Sequence, residues 1–235
     1  MTTDDPDGPP VVTRQLQLEL EGIDPLTDEQ RVEAWLREQG TWSADARAAA
    51  LYLRDRRSRR TRATRWEQLQ AIQAPFESEW GWLTPGGEEC IWLYHEAERS
   101  YVDGLHLASL LCAHAACERV LAGCLLSYEQ ELPKGWRFWG LGPLVKEAFL
   151  RKLIDSPLRD SLAEINEIRK VSAHFKPPLE ANSVSSRAYH HMQATPDLNA
   201  EEAIDQVAQG DALMAFRAAT ELMRGDQGFA RVRLY

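Results

Sequence analysis

The chain has little that would announce a familiar kind of site. None of its four cysteines, Cys90, Cys112, Cys117 and Cys124, forms a C-x-x-C pair. A zinc centre needs closer, paired ligands, so buried reduced thiols are expected, with no metal and no other cofactor. Positive charge is also short: 27 Lys and Arg face 36 Asp and Glu, a formal net charge of −9. That balance excludes a surface that binds nucleic acid over its whole area but leaves room for a local basic patch. The N-terminal M-T-T-D-D-P-D-G-P-P is acidic where a secretory leader is basic and then apolar. Together with the thiols it predicts a cytoplasmic protein. No internal repeat occurs. The single long apolar run, Leu105 to Leu126, could span a bilayer by length, but it carries His106, Ser109, His114, Glu118 and Arg119. It therefore reads as the core helix of a bundle, with no membrane partner.

What is present is helical periodicity. With 235 residues, 44% hydrophobic and 27% charged, the chain can bury a proper core. Residues 1–40 are expected to be a partly disordered arm with a short helix. Val11 to Leu20 alternates like a strand, and Thr27-Asp28-Glu29-Gln30 caps a helix that ends at Gly40. Residues 41–84 form a helical extension opened by Ser43-Ala44-Asp45, followed by a Trp-rich linker. Residues 85–225 have the spacing of an all-α bundle, and 226–235 form a tail. Within the bundle, Glu129 to Gly142 reads as a loop whose aromatics Trp136, Phe138 and Trp139 plug one end, with stacking on unpaired bases the second reading. Pro143 to Leu153 is a helix with Leu144, Val145, Ala148, Phe149 and Leu153 inward. Asp155-Ser156-Pro157 caps the next helix. Residues 176–199 are expected to be a long connection carrying Tyr189, His190 and His191. The helix from Ala200 to Met223 turns Ala203, Ile204, Val207, Leu213 and Phe216 inward, with an interruption near Gly210.

Two features carry chemistry. Arg54, Arg56, Arg57, Arg59, Arg60, Arg62 and Arg65 crowd one stretch with only Asp55 against them. Such a run is either the solvated face of a helix or an arm that holds RNA phosphates, and arginine suits the latter by its planar, always charged fork. The second feature is S-L-A-E-I-N-E-I-R-K-V-S-A-H-F, residues 161–175. Leu158, Leu162, Ile165 and Ile168 mark a buried face, and Arg169 falls inside that apolar stripe. Losing water there costs a guanidinium several kcal/mol unless an anion replaces it. His174 follows near the helix end, where the dipole favours a protonated imidazole. His114 and Glu118, four apart, can pair on one face of the apolar helix, as a core hydrogen bond or as part of a site.

The pattern Y-H-E-A-E-R-S-Y-V-D-G-L-H-L-A-S-L-L-C-A-H-A-A-C-E-R-V-L, then L-G-P-L-V-K-E-A, then E-I-N-E-I-R-K-V-S-A-H-F resembles the HEPN family (higher eukaryotes and prokaryotes nucleotide-binding). The resemblance spans roughly residues 88–223. It implies a four- to five-helix up-and-down bundle with a motif of Arg, four to six residues, then His, matched by Arg169 and His174. It further implies a metal-independent endoribonuclease of the toxin–antitoxin or anti-phage kind. Such a protein acts as a homodimer on RNA and is held in check by an antitoxin or regulatory protein. Arg169 and His174 would be catalytic, with Glu118 and Lys170 supporting. Lys170 departs from the Asn, Asp or His usual after the motif arginine, and lysine cannot accept a hydrogen bond from the histidine. That departure keeps a second expectation open, a non-catalytic nucleotide-binding or protein-interaction module. On an ideal helix Arg169 and His174 stand about 140° apart, so the last turn must unwind or a second subunit must complete the site.

Overall fold

The structure, a computed structural model, describes residues 28–39, 44–76, 84–173, 180 and 182–224. The alternating segment at Val11 to Leu20, the N-terminal ten residues, the tail and His174 lie outside them. Among the described residues the fold is all-α, with no strand. Its helices are α1 (Asp28–Gln39), α2 (Ala44–Gln73), α3 (Glu88–Val102), α4 (His106–Leu125), α5 (Leu141–Leu150), α6 (Ser156–Ala173), α7 (Val184–Ala194) and α8 (Ala200–Arg224).

The chain divides into two compact units, residues 1–61 and 62–235. In the first, Val32 of α1 meets Ala49 and Leu53 of α2, with Trp35, Leu36 and Tyr52 partly buried around them. This core is small because arginines follow directly.

The second unit is built on α4, which packs against α3, α5, α6 and α8. Its sequence explains that position: Leu110, Ala113, Ala116, Cys117, Val120, Leu121 and Leu125 are all buried. A helix apolar nearly all round must be covered on several sides, and each large side chain so buried contributes roughly 1.5–3 kcal/mol. The same helix is long and apolar enough to cross a membrane, and half of its most apolar window is buried within the bundle. Near its end, α4 touches the backbone of the loop that precedes α3. A β-carbon on Gly123 would lie 1.9 Å from the Pro85 carbonyl oxygen.

The cysteines form no disulfide. Burial pushes Cys90 up to about 11 and Cys124 up to about 12, so these thiols stay protonated and inert.

Helix α6 starts where Asp155 accepts the Leu158 N–H at 3.0 Å, the expected cap. It then buries Leu158, Leu162, Ile165 and Ile168. Helix α5 turns Leu144, Val145 and Ala148 inward, as predicted, while Phe149 is exposed and lies under the Arg159 guanidinium, 4.3 Å from its ring centroid.

Three further expectations need correction. Residues 176–199 are not one long connection, because α7 forms within them. Ser183 caps it by accepting the Ser186 N–H at 3.0 Å, and Ala188 is buried. Arg187 places two guanidinium nitrogens on the two carboxylate oxygens of buried Asp211 in α8. Helix α8 also runs through Gly210 without interruption. A mid-helix glycine costs only about 1 kcal/mol relative to alanine, and burial of Ala212, Ala215, Phe216 and Ala219 outweighs it. Ile204, predicted to face inward, is exposed.

Candidate functional site

Three elements meet at a groove of about 580 Å³ lined by His114 and Glu118 of α4, the Gly140–Pro143 entry to α5, and Asn166, Arg169 and Lys170 of α6. The apolar periodicities of α4 and α6 place these polar groups together: each helix aligns its buried face with the other, and the polar residues sit at the edge of that contact.

His114 is buried. Its Nδ1 lies 3.5 Å from Glu118 Oε2, longer than a proper hydrogen bond. Its Nε2 is enclosed with no partner meeting hydrogen-bond geometry among the described residues. Burial, reinforced by the Arg169 charge, pulls the imidazole down to about 4, and the neighbouring Asn166 amide offsets this only in part. The ring is therefore neutral near pH 7. So low a value makes it a weak base, suited to packing and positioning rather than proton transfer.

Glu118 is half-buried, and desolvation raises its carboxyl above the ordinary range. The Arg169 charge and the backbone N–H of Leu141 oppose that rise. Leu141 is the first residue of α5, so Glu118 supplies a negative group to the positive end of that helix.

Arg169, expected to stand out of place on an apolar face, is half-buried and acts electrostatically on both His114 and Glu118. Lys170 is exposed, with Nζ 2.6 Å from Glu167 Oε1. The same Glu167 oxygen faces the Asn166 amide at 3.4 Å. A β-carbon at Gly142 would lie 3.2 Å from Asn166 Nδ2, so the missing side chain is what lets the entry of α5 approach α6.

The structure thus brings together Glu118, Arg169 and Lys170 from the predicted set, while His174 lies outside the described residues. Sequence reasoning missed Asn166 and the Gly140–Pro143 segment. Asn166 carried a usable signal, since it lies three residues before Arg169 and so on the same side of α6.

The arginine run occupies α2 with a different outcome. Glu29 accepts from Arg60 at 2.7 Å and from Arg56 at 3.4 Å. Arg57 pairs with Glu33, Arg59 with Asp55 at 2.7 Å, and Arg62 with Asp103 at 2.8 Å. Arg54 is exposed. Arg65 is buried and donates from Nε to the Val102 carbonyl at 2.9 Å, with burial lowering its pKa. Most of the run is thus engaged within the protein, as a solvated helix face would be.

The groove sets two cations, Arg169 and Lys170, and the Asn166 amide against the carboxylates of Glu118 and Glu167, and the guanidinium and ammonium are groups able to contact an anion. Among the described residues no group of His, Cys, Asp and Glu is arranged to hold a metal. Neither a family model, nor a curated protein, nor a solved structure matches the chain.

Proposed function

We propose that the groove binds the phosphodiester of RNA and that the chain is a metal-independent endoribonuclease-like effector of the HEPN type. In this reading it is a cytoplasmic toxin or anti-phage protein acting as a homodimer, with an antitoxin or regulatory protein as its counterpart. The observation that carries the reading is the setting of Arg169: a half-buried guanidinium at a groove wall, beside a helix N-terminus and a neutral histidine, in an all-helical bundle.

The chemistry follows from those groups. An RNA 2′-hydroxyl attacks its own phosphate, and Arg169 stabilises the charge that develops on the phosphate oxygens. His174 takes the hydroxyl proton as general base, or returns one to the 5′-oxygen that leaves. His114, pulled down to about 4, is too weak a base to compete for that role. The products are a 2′,3′-cyclic phosphate and a free 5′-hydroxyl.

A specific contact also favours a second reading. Glu118 lies close enough to Arg169 for the two charges to interact, which is what a structural ion pair in a non-catalytic nucleotide-binding or protein-interaction module requires.

One experiment separates them. Purified protein is incubated with RNA in EDTA, comparing wild type, His174→Ala and Arg169→Gln. The enzyme reading expects cyclic-phosphate ends that fall roughly 10²–10⁴-fold in the His174 variant. Absent or equal cleavage in both proteins, with Arg169→Gln lowering only the melting temperature, establishes the structural reading.

A further inference from the structure

Helix α5 opens without a cap of its own. Its N-cap position is Gly140, which has no side chain to accept a hydrogen bond, and its first turn, Leu141-Gly142-Pro143-Leu144, carries no acid. The first N–H groups of a helix have no partner within it, and Pro143 contributes none, so those of Leu141 and Gly142 are left for groups outside the helix. Glu118 meets that need from α4. Its half-buried carboxylate accepts from the Leu141 N–H and lies within electrostatic reach of Arg169. A negative group held by a helix N-terminus and a guanidinium shows where the groove keeps an anion. In the free protein that anion is its own.

The cations of the groove are therefore engaged before any ligand arrives. Glu118 faces Arg169, Lys170 Nζ lies 2.6 Å from Glu167 Oε1, and two carboxylates balance two cations along the lining. An added phosphate gains little from such a lining unless a carboxylate gives way. Glu167 is 67% exposed at its side chain, so it is already screened by water and its departure changes little. Glu118 is the carboxylate that matters, and its seat is imperfect. Desolvation raises its carboxyl above the ordinary range. Its Oε2 stands 3.5 Å from His114 Nδ1, too far for a proper hydrogen bond. His114, only 6% exposed at its side chain, keeps Nε2 enclosed with no partner meeting hydrogen-bond geometry among the described residues. A buried polar atom left in that state is costly, so the arrangement with Glu118 inside is not the one that satisfies every group at the groove.

We infer that Glu118 is a built-in competitor at this site: its carboxylate holds the place, at the start of α5 and within reach of Arg169, that an RNA phosphate takes, and a phosphate enters by displacing it. The inference rests on the reading of the groove as an RNA phosphate site. It gives that site a self-occupied resting form, whose affinity for an anion is reduced to the fraction of molecules in which Glu118 has left.

The test titrates the full-length wild type, Glu118→Gln, Arg169→Gln and the double variant at pH 7 with two probes, inorganic sulfate and an RNA oligonucleotide with 2′-O-methyl sugars, which cannot be cleaved. Glu118→Gln keeps an oxygen for the Leu141 N–H but no charge, and is expected to bind both probes at least about tenfold more tightly than wild type. In the double variant that gain is expected to vanish. In wild type, the NMR signal of the Leu141 amide is expected to shift as sulfate takes the place of the carboxylate. A Glu118→Gln protein that binds no tighter than wild type, a gain that survives the loss of Arg169, or a Leu141 amide unmoved by bound sulfate overturns the competitor role. Weaker binding by Arg169→Gln alone then leaves the groove reading standing. Binding of neither probe to wild type or to Glu118→Gln overturns both. The amide signal is read on wild type, so the competitor role is decided even where Glu118→Gln fails to fold.

Discussion

Arg57 and Arg169 carry the same guanidinium into opposite settings. Arg57 belongs to a run of seven, is well exposed, and meets Glu33 in water. Arg169 stands alone on an apolar helix face and shares a groove with a buried imidazole and a half-buried carboxylate. In water a charge pair is screened and exchanges freely for solvent. In a partly dry groove the same charge adds to what burial does to its neighbours: burial first, and the Arg169 charge after it, pull His114 down to about 4. Density of charge along the chain therefore marks a surface, whereas one charge among apolar residues marks a site.

The sharpest way to test this difference lies with a third arginine, Arg187, whose partner Asp211 is 4% exposed at its side chain. Arg187→Ala leaves a buried carboxylate uncompensated and is expected to cost about 3–5 kcal/mol in urea unfolding. A loss below about 1 kcal/mol would mean that burial does not set the strength of these pairs.

The next effect is one of pH. The His114 imidazole is depressed from 6.5 to about 4 in the folded protein, so between those values the unfolded chain binds a proton that the folded chain refuses. Stability is then lost as pH falls through that window, by up to about 3 kcal/mol. Glu118 acts in the opposite sense, because its raised carboxyl binds a proton more readily when folded. The difference between wild type and His114→Gln isolates the histidine. A difference curve flat from pH 7 to 4 would show that the ring protonates without penalty.

The smallest effect compares two residues of α2. Arg65→Ala removes a buried donor from the Val102 carbonyl and is expected to cost about 1–3 kcal/mol. Arg60→Ala, removing an exposed pair with Glu29, is expected to cost about 0–1 kcal/mol. Equal costs would erase the distinction between the buried and solvated parts of one helix.

Much of the fold is legible in the sequence because amphipathic spacing repeats over long segments. The caps at Asp155 and the buried rows of α4, α5 and α6 follow from it directly. Helix α7 is less legible, since Pro177, Pro178 and Pro196 frame a short polar stretch, and its clearest support is tertiary: the Arg187–Asp211 pair and the buried Ala188. At the groove, Glu118 and Arg169 are visible as charges out of place. Asn166 shows only through its place three residues before Arg169, because asparagine is common on helix surfaces and the approach of Gly142 is what shows that its amide is enclosed. The backbone N–H of Leu141 leaves no mark on the sequence at all, since every residue but proline has one.

Gly123 bears on how any survey of variants should be interpreted. A single added carbon there would occupy the space of the Pro85 carbonyl, so every other amino acid forces the end of α4 and the loop before α3 apart. In a library screened for biological effect, position 123 will be as intolerant as a reacting residue, although it does not line the groove. Tolerance alone therefore cannot map this protein's chemistry, and each inactive variant must be sorted by whether the bundle still assembles.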